Sequence, residues 1–402
     1  MKMIKSFKFD LVSLSLYFIC FFLFAGFYAG LGLIISFLGN DLTRLYSVPI
    51  RLFCSLIMLF WVIKNINYKF ENIGYFYSIL LFLTFLLVTY IVDLYEQLKF
   101  FNIKLEYIMY VIVYCIIPFL FFSYSKYNKI REILENSIVL SGLFLNLVAI
   151  FLYKDLISSG IARISFLQYE SDEGFLSPLS LSYASSLTMS ICFCKLVSMK
   201  FKKESFVLIL TLISSFIPFS LGASRGSILT LFFSLFIYFL FLKDTRIKIK
   251  VLAVVPFAIL CLIFATNKMG SAVFERFLGI GNSYESNDTS VTNRLSQWEQ
   301  AISYINESPI LGGHFLINDV YPHNILLEIF MGQGVILFLI FLFLIFYTLI
   351  KAIKINMRND YLILVIFLHG IIMSLFSGSI NTAILLFTSF GLLCSAMNYY
   401  KG

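Results

Sequence analysis

Residues 324–350 read NILLEIFMGQGVILFLIFLFLIFYTLI. One carboxylate, Glu328, is the only charge in the run, and a spanning helix needs only about 20 apolar residues. His323 precedes the run, and Lys351 and Lys354 follow it. In hydrocarbon every backbone N–H and C=O must find a partner within the chain, so a segment of this length and polarity is stable there as a helix. The stretch LVSLSLYFICFFLFAGFYAGLGLIISFL at 11–38 reads the same way. Working outward gives twelve such runs: 11–38, 48–63, 74–92, 105–123, 134–152, 176–198, 204–221, 225–242, 248–266, 324–350, 361–378 and 381–398. Of the 402 residues, 60% are hydrophobic and 13% charged, whereas soluble domains carry about 25% charged residues. There is too little polar surface to coat a globule. A cytosolic enzyme, a nucleic-acid binder and a disordered chain are excluded. The runs are continuous and do not alternate, which argues against a β-barrel. The expected fold is an all-α polytopic membrane protein, one integral membrane domain over 1–402 with about twelve transmembrane helices.

The basic residues orient it. With the N-terminus inside and spans alternating, 20 of the 30 Lys and Arg residues fall in inner segments and 10 in outer ones. That is the asymmetry of the positive-inside rule, and it places both termini in the cytoplasm. Lys2, Lys5 and Lys8 before the first run resemble a signal peptide. The run is too long for one, so it is expected to stay as an uncleaved anchor, tilted or bent near Gly26, Gly30 and Gly32. The seven cysteines all lie in apolar runs and read as small buried hydrophobes, with no disulfide framework.

Two outer segments stand out. Residues 153–175 hold Arg163 and the acidic group Glu170, Asp172 and Glu173. Residues 267–323, between the ninth and tenth spans, form the large periplasmic loop. Its front is rich in Gly, Asn and Ser, and Leu295, Trp298, Ile302 and Ile305 then recur at helical spacing. This predicts an amphipathic helix along the membrane surface, ended by Pro309 and the Gly312–Gly313 pair. The spans themselves carry almost no ionisable groups, which argues against an ion-coupled transporter or a flippase.

The polar chemistry gathers at the outer interface. Arg225, in Gly-Ala-Ser-Arg-Gly-Ser at 222–227, opens a span where helix N–H groups and a guanidinium suit a phosphate; the alternative is a snorkelling interfacial arginine. Arg294 begins the amphipathic helix and could bind an anion or touch a headgroup. His323 could act as a general base or simply start a helix. Glu328 could orient it or stand as an interfacial carboxylate. His314 reads as a loop residue and His369 as a packing residue. There is no Asp-x-Asp, His-Glu-x-x-His, P-loop or Gly-x-Ser-x-Gly, so no metal ligands and no cofactor are expected.

Three motifs in order carry a resemblance: Ser224-Arg225-Gly-Ser227; Asn293-Arg294-Leu-Ser-Gln-Trp298 with Ser308-Pro-Ile-Leu-Gly-Gly313; and Tyr321-Pro-His-Asn-Ile-Leu-Leu-Glu-Ile-Phe-Met-Gly-Gln-Gly334. Over roughly 160–340 the chain resembles the O-antigen polymerase and O-antigen ligase family of bacterial envelope glycosyltransferases. The resemblance implies a multi-pass inner-membrane enzyme with its active site facing the periplasm. It would work by metal-independent, inverting transfer from an undecaprenyl-diphosphate-linked glycan. Arg225 and Arg294 would hold the diphosphate and His323 would deprotonate the acceptor hydroxyl. Arg163, Tyr321, Asn324 and Glu328 would contact substrate. Membrane lipid is an implied partner, a chain-length regulator protein is compatible, and nucleic acid is not. The ligase pattern runs His-Asn, nine residues, Gly, two residues, then a small residue or Tyr. His323-Asn324 and Gly334 fit it and Leu337 does not. The expectation is therefore a polymerase of O-antigen or a related surface polysaccharide, with transfer of polymer to the lipid A-core as the alternative.

Overall fold

The computed structural model describes residues 11–38, 43–68, 70–96, 105–158, 176–199, 203–222, 224–249, 251–252, 289–318 and 320–400. These are overwhelmingly helical, with one isolated bridge, Ile317 to Val320, among them. The helices are α1 (Leu11–Phe22), α2 (Ala25–Leu38), α3 (Thr43–Lys64), α4 (Ile73–Glu96), α5 (Leu105–Tyr110), α6 (Ile117–Ser123), α7 (Tyr127–Leu152), α8 (Lys154–Ser158), α9 (Pro178–Ser198), α10 (Lys203–Ser214), α11 (Phe216–Gly222), α12 (Arg225–Leu240), α13 (Thr289–Glu307), α14 (Ile325–Asn356), α15 (Leu362–Phe376) and α16 (Ile384–Tyr399). A π-turn over Val111–Ile116 joins α5 to α6.

Seven helices among the described residues are long and apolar enough to cross a membrane. The first run, expected as one long span, is a pair of helices, α1 and α2, bent by 69° just before Gly26. The helices α12, α15 and α16 are apolar but shorter. Most of the run 248–266, the front of the large loop and the segment 159–175 lie outside the described residues. The chain is a multi-pass helical membrane protein. Its six described cysteines are free and buried.

The chain forms two compact units. The first takes Met1–Lys64, Lys126–Ser227 and Thr245–Phe274. Its core joins Ala25, Ala29 and Ile35 of α2 to Leu145, Val148 and Ala149 of α7, with Leu181 of α9 and Leu221 of α11. Small residues let these helices approach closely, which is how helices associate where no hydrophobic difference separates protein from lipid. Gly142 faces the Thr188 side chain so closely that a Cβ there would stand 2.2 Å from it. Ser182, Ser185 and Ser186 of α9 are buried, and their hydroxyls bond back one turn, as Ser185 Oγ does to the Leu181 carbonyl at 2.7 Å. Asn146 Nδ2 donates to the Ser214 and Ser215 hydroxyls at 2.8 and 2.9 Å, where α10 breaks from α11. Lys195 Nζ lies 2.8 Å from the Glu135 carboxylate, which compensates two otherwise costly charges.

The second unit takes Asn65–Ser125, Ile228–Asp244 and Glu275–Gly402. Its spine is α14. Phe341 stacks on Phe82 of α4 at 5.2 Å, and Thr348 shares a 2.7 Å hydrogen bond with the Tyr75 hydroxyl. Gly391 of α16 abuts the backbone of Phe119, where a Cβ would come within 2.5 Å.

The long helix α14 is not continuous. Gly334 has φ 72 and ψ −179, a conformation open only to glycine, and it divides α14 into two arms. The carbonyls and N–H groups freed at the break are taken by the Pro309–His314 segment. Val335 N–H donates to the Pro309 carbonyl at 2.9 Å, Gly313 N–H to the Gly332 carbonyl at 3.1 Å, and His314 N–H to the Met331 carbonyl at 3.1 Å. Gly312, at φ 71, lies so close that a Cβ would stand 2.5 Å from the Gly334 nitrogen. The glycines of the Ser-Pro-Ile-Leu-Gly-Gly and Gly-Gln-Gly motifs are thus two halves of one knot. The sequence reading took the Gly–Gly pair only as the end of a helix.

Candidate functional site

The polar site is built at the N-terminal end of α14, within the second unit. Helix α13 supplies one wall. Arg294, Trp298, Ala301 and Ile305 recur at steps of four, three and four, so they share a face. Ala301 and Ile305 pack with Ile317 and Met331. The sequence reading put Leu295, Trp298, Ile302 and Ile305 on one face. Within the protein itself Leu295 and Ile302 are about half exposed, at 51% and 50%. The face that packs inside the unit runs through Trp298, Ala301 and Ile305, and it turns Arg294 toward the Tyr321–His323 segment.

That segment is fixed from both sides. Trp298 Nε1 donates to the Pro322 carbonyl at 2.9 Å. The side chain of Asn324 caps α14, accepting from Leu326 N–H at 3.0 Å and Leu327 N–H at 3.3 Å. Between these anchors His323 sits in the left-handed region at φ 53. Histidine is among the few side chains that tolerate this region, at a cost of about 1–3 kcal/mol held by the surrounding structure. The Tyr321 ring meets the imidazole edge to face, with centroids 4.4 Å apart.

The capping task therefore falls to Asn324 and not to His323. The imidazole is half-buried, and its Nδ1 is buried with no hydrogen-bond partner among the described residues. The ring also engages the Ser377 backbone. With that contact on the other ring nitrogen, Nδ1 is the atom left to accept a proton. Burial lowers the His323 pKa from its ordinary value, the Arg294 charge lowers it further, and the Ser377 hydrogen bond acts in the opposite direction. Burial raises the Tyr321 phenol, with the charges of Glu328 and Tyr107 acting the same way and Arg294 opposing. Arg294 is close enough to act on both rings.

Glu328 does not face His323. It is 2% exposed. One carboxylate oxygen accepts from Ser379 Oγ at 2.6 Å, and the other from Ile380 N–H at 2.9 Å. These bonds hold the polar turn at 377–382, and Tyr90 braces it with a 2.9 Å hydrogen bond to Asn381 Oδ1. Ser377 in that segment is the His323 partner, so Glu328 and the imidazole are joined through the turn and not by contact. The sequence reading missed this turn. Its signal was present as Ser-Gly-Ser-Ile-Asn-Thr between two apolar runs, which was read only as the junction of two spans. Gln333 Nε2, donating to Thr89 Oγ1 at 2.7 Å, ties the same arm of α14 to α4.

Arg225 belongs to the first unit. It is the first residue of α12 and half-buried. Ser227 Oγ donates to the Ser224 carbonyl at 2.8 Å. At Gly222 a Cβ would stand 2.2 Å from the Pro178 carbonyl, so the glycine lets the end of α11 pass the start of α9. Arg163 lies outside the described residues. His314 stacks flat on Tyr304 at 4.1 Å and lies 3.7 Å from Glu307, and His369 is buried with Nδ1 3.0 Å from the Val365 carbonyl. Both are structural, as their sequence contexts suggest.

One end of α14 thus brings together a half-buried arginine, a histidine whose buried Nδ1 has no hydrogen-bond partner among the described residues, and a fixed Pro-His-Asn segment. Residues 209–342 match the O-antigen ligase family model, the resemblance carried by the three motifs. The match includes Arg225, Arg294, Tyr321, His323, Asn324 and Glu328, and its members are membrane glycosyltransferase-like enzymes. No curated protein matches the chain.

Proposed function

We propose that this protein polymerises undecaprenyl-diphosphate-linked oligosaccharide repeats into O-antigen or a related surface polysaccharide at the periplasmic face of the bacterial inner membrane. The observation that supports it most is the unpartnered Nδ1 of His323 beside Arg294, within the segment that matches the O-antigen ligase family. In the proposed reaction Nδ1 takes the proton of the acceptor hydroxyl. The oxygen attacks the anomeric carbon with inversion, and the carbon–oxygen bond to the diphosphate breaks. The diphosphate leaves with the bonding electron pair, so departure depends on charge stabilisation more than on an acid. Arg294 supplies it, where the low-dielectric membrane edge strengthens the interaction. Arg225 is proposed as the second diphosphate ligand on its motif and its place at a helix start, and Arg163 as a further contact from its sequence context. Tyr321 and Asn324 would line the acceptor side, and Glu328 acts by positioning.

A second reading, ligation of finished polymer to the lipid A-core, is favoured by the description of the matching family itself. Leu337, the departure from the ligase pattern, favours polymerisation. Glycan profiling of a deletion strain separates the two. Single-repeat lipid-capped chains are the expected result; polymer accumulating on the lipid carrier would establish the ligase reading instead.

A further inference from the structure

At the far end of α14 from His323 lies a second polar feature that the transfer chemistry does not use. A cavity of about 430 Å³ is lined by Lys351, Lys354 and Arg358, with Glu71, Met397 and Tyr400 among its other walls. Three cations against one carboxylate leave the cavity net positive. Two of the cations are held in place. Arg358 donates to the Tyr400 carbonyl at 3.0 Å and lies over the Tyr400 ring at 5.2 Å. Tyr400 is itself fixed by its hydroxyl, 2.7 Å from Asp360. Lys351 Nζ lies 5.4 Å above the Tyr347 ring, whose hydroxyl bonds Asn72. A guanidinium has five N–H donors, and the Tyr400 carbonyl uses one direction only.

An apolar track leads to this cavity. Ile336, Leu339, Phe343, Phe346 and Ile350 on the second arm of α14 are each more than half exposed. They recur at steps of three and four, so they form one stripe, and the next position on that stripe is exposed Lys354. Fourteen residues of helix span about 21 Å, more than the roughly 15 Å of hydrocarbon in one leaflet.

We propose that this cavity and stripe form a binding site for an anionic phospholipid, with the phosphate headgroup among Lys351, Lys354 and Arg358 and an acyl chain along the stripe. Charge complementarity selects the headgroup, because a zwitterionic lipid brings its own cation into a site that already holds three. The track selects a lipid over a free anion.

Native mass spectrometry of the full-length protein, delipidated in detergent and titrated with phosphatidylglycerol or phosphatidylcholine of identical chains, tests this. Wild type should retain phosphatidylglycerol preferentially. Each cation removed should weaken that retention about fivefold, so Lys351→Gln, Lys354→Gln, Arg358→Gln together should abolish the preference. Lys354→Gln alone, at an exposed position, gives the same reading at about fivefold should the triple variant fail to fold. Equal retention of the two lipids by wild type, or an unchanged preference in Lys354→Gln and the triple variant, overturns the proposal. Inorganic phosphate is the control. Binding of phosphate to wild type without selective retention of phosphatidylglycerol would make this an anion site and would also overturn the lipid assignment.

Discussion

Replacing His323 by asparagine separates a base from every other task this residue could have. Asparagine tolerates the left-handed backbone at φ 53, so the turn survives where alanine would add strain. The α14 cap belongs to Asn324 and is untouched. The variant loses the edge-to-face contact with Tyr321, worth about 0.5–1.5 kcal/mol, and the ring's bond to Ser377, worth about 1 kcal/mol. Destabilisation should therefore be about 1–3 kcal/mol, which thermal unfolding in detergent measures directly. An amide cannot take a proton near neutral pH, and a missing general base costs about two to four orders of magnitude in rate. Turnover of a purified lipid-linked oligosaccharide should fall by that much while the lipid still binds. The pH profile gives a second reading. Burial and Arg294 both hold the imidazole below its usual value near 6.5, against the Ser377 hydrogen bond. The base works unprotonated, so wild-type turnover should persist as pH falls through about 6.5 and decline only below it. Removing the Arg294 charge with Arg294→Gln removes one lowering cause, so at saturating donor the acid limb should move upward. Near-normal turnover of His323→Asn at normal protein level would refute the reasoning, because nothing else about the residue is preserved in a form that can accept the proton.

Arg294→Lys and Arg225→Lys should each lower donor affinity or turnover about tenfold or more at normal expression, because an ammonium cannot give forked contacts to two phosphate oxygens; single-turnover kinetics with the lipid-linked donor checks this, and full activity in the double variant would remove the forked role. Gly334→Ala should destabilise the protein by at least about 2–3 kcal/mol, since its Cβ would lie 2.0 Å from the Ile310 carbonyl oxygen at a φ of 72; thermal unfolding and protein yield read the loss. If 267–323 is periplasmic, Gln300→Cys should react with an impermeant maleimide in intact cells and Thr245→Cys should react only after lysis; the reverse pattern would mean that the bent pair α1–α2 enters and leaves on one side.

The sequence by itself determined the class of protein, because a membrane fixes the answer from length and polarity alone. Predominantly apolar runs of 16–28 residues, with few or no charges, have no stable state in hydrocarbon other than helices. It also marked Arg294, Trp298, His323 and Asn324, since polar residues beside an apolar run are few enough to stand out. Only the tertiary structure decided what each of them touches. Helical spacing gives a face but not which neighbour covers it: the sequence marked the apolar stripe Leu295, Trp298, Ile302 and Ile305, and only the structure shows Ala301 and Ile305 packed inside the unit while Leu295 and Ile302 stay half exposed. Hydropathy does not register a backbone break, so the Gly334 interruption inside the longest described helix and its knot with Gly312 and Gly313 were illegible. Glu328 looked like a neighbour of His323 because the two are five residues apart. The carboxylate instead reaches a turn some fifty residues further on, whose hydroxyl and N–H satisfy both its oxygens. A buried charge takes whichever donors the fold brings to it, and sequence proximity has no say in that.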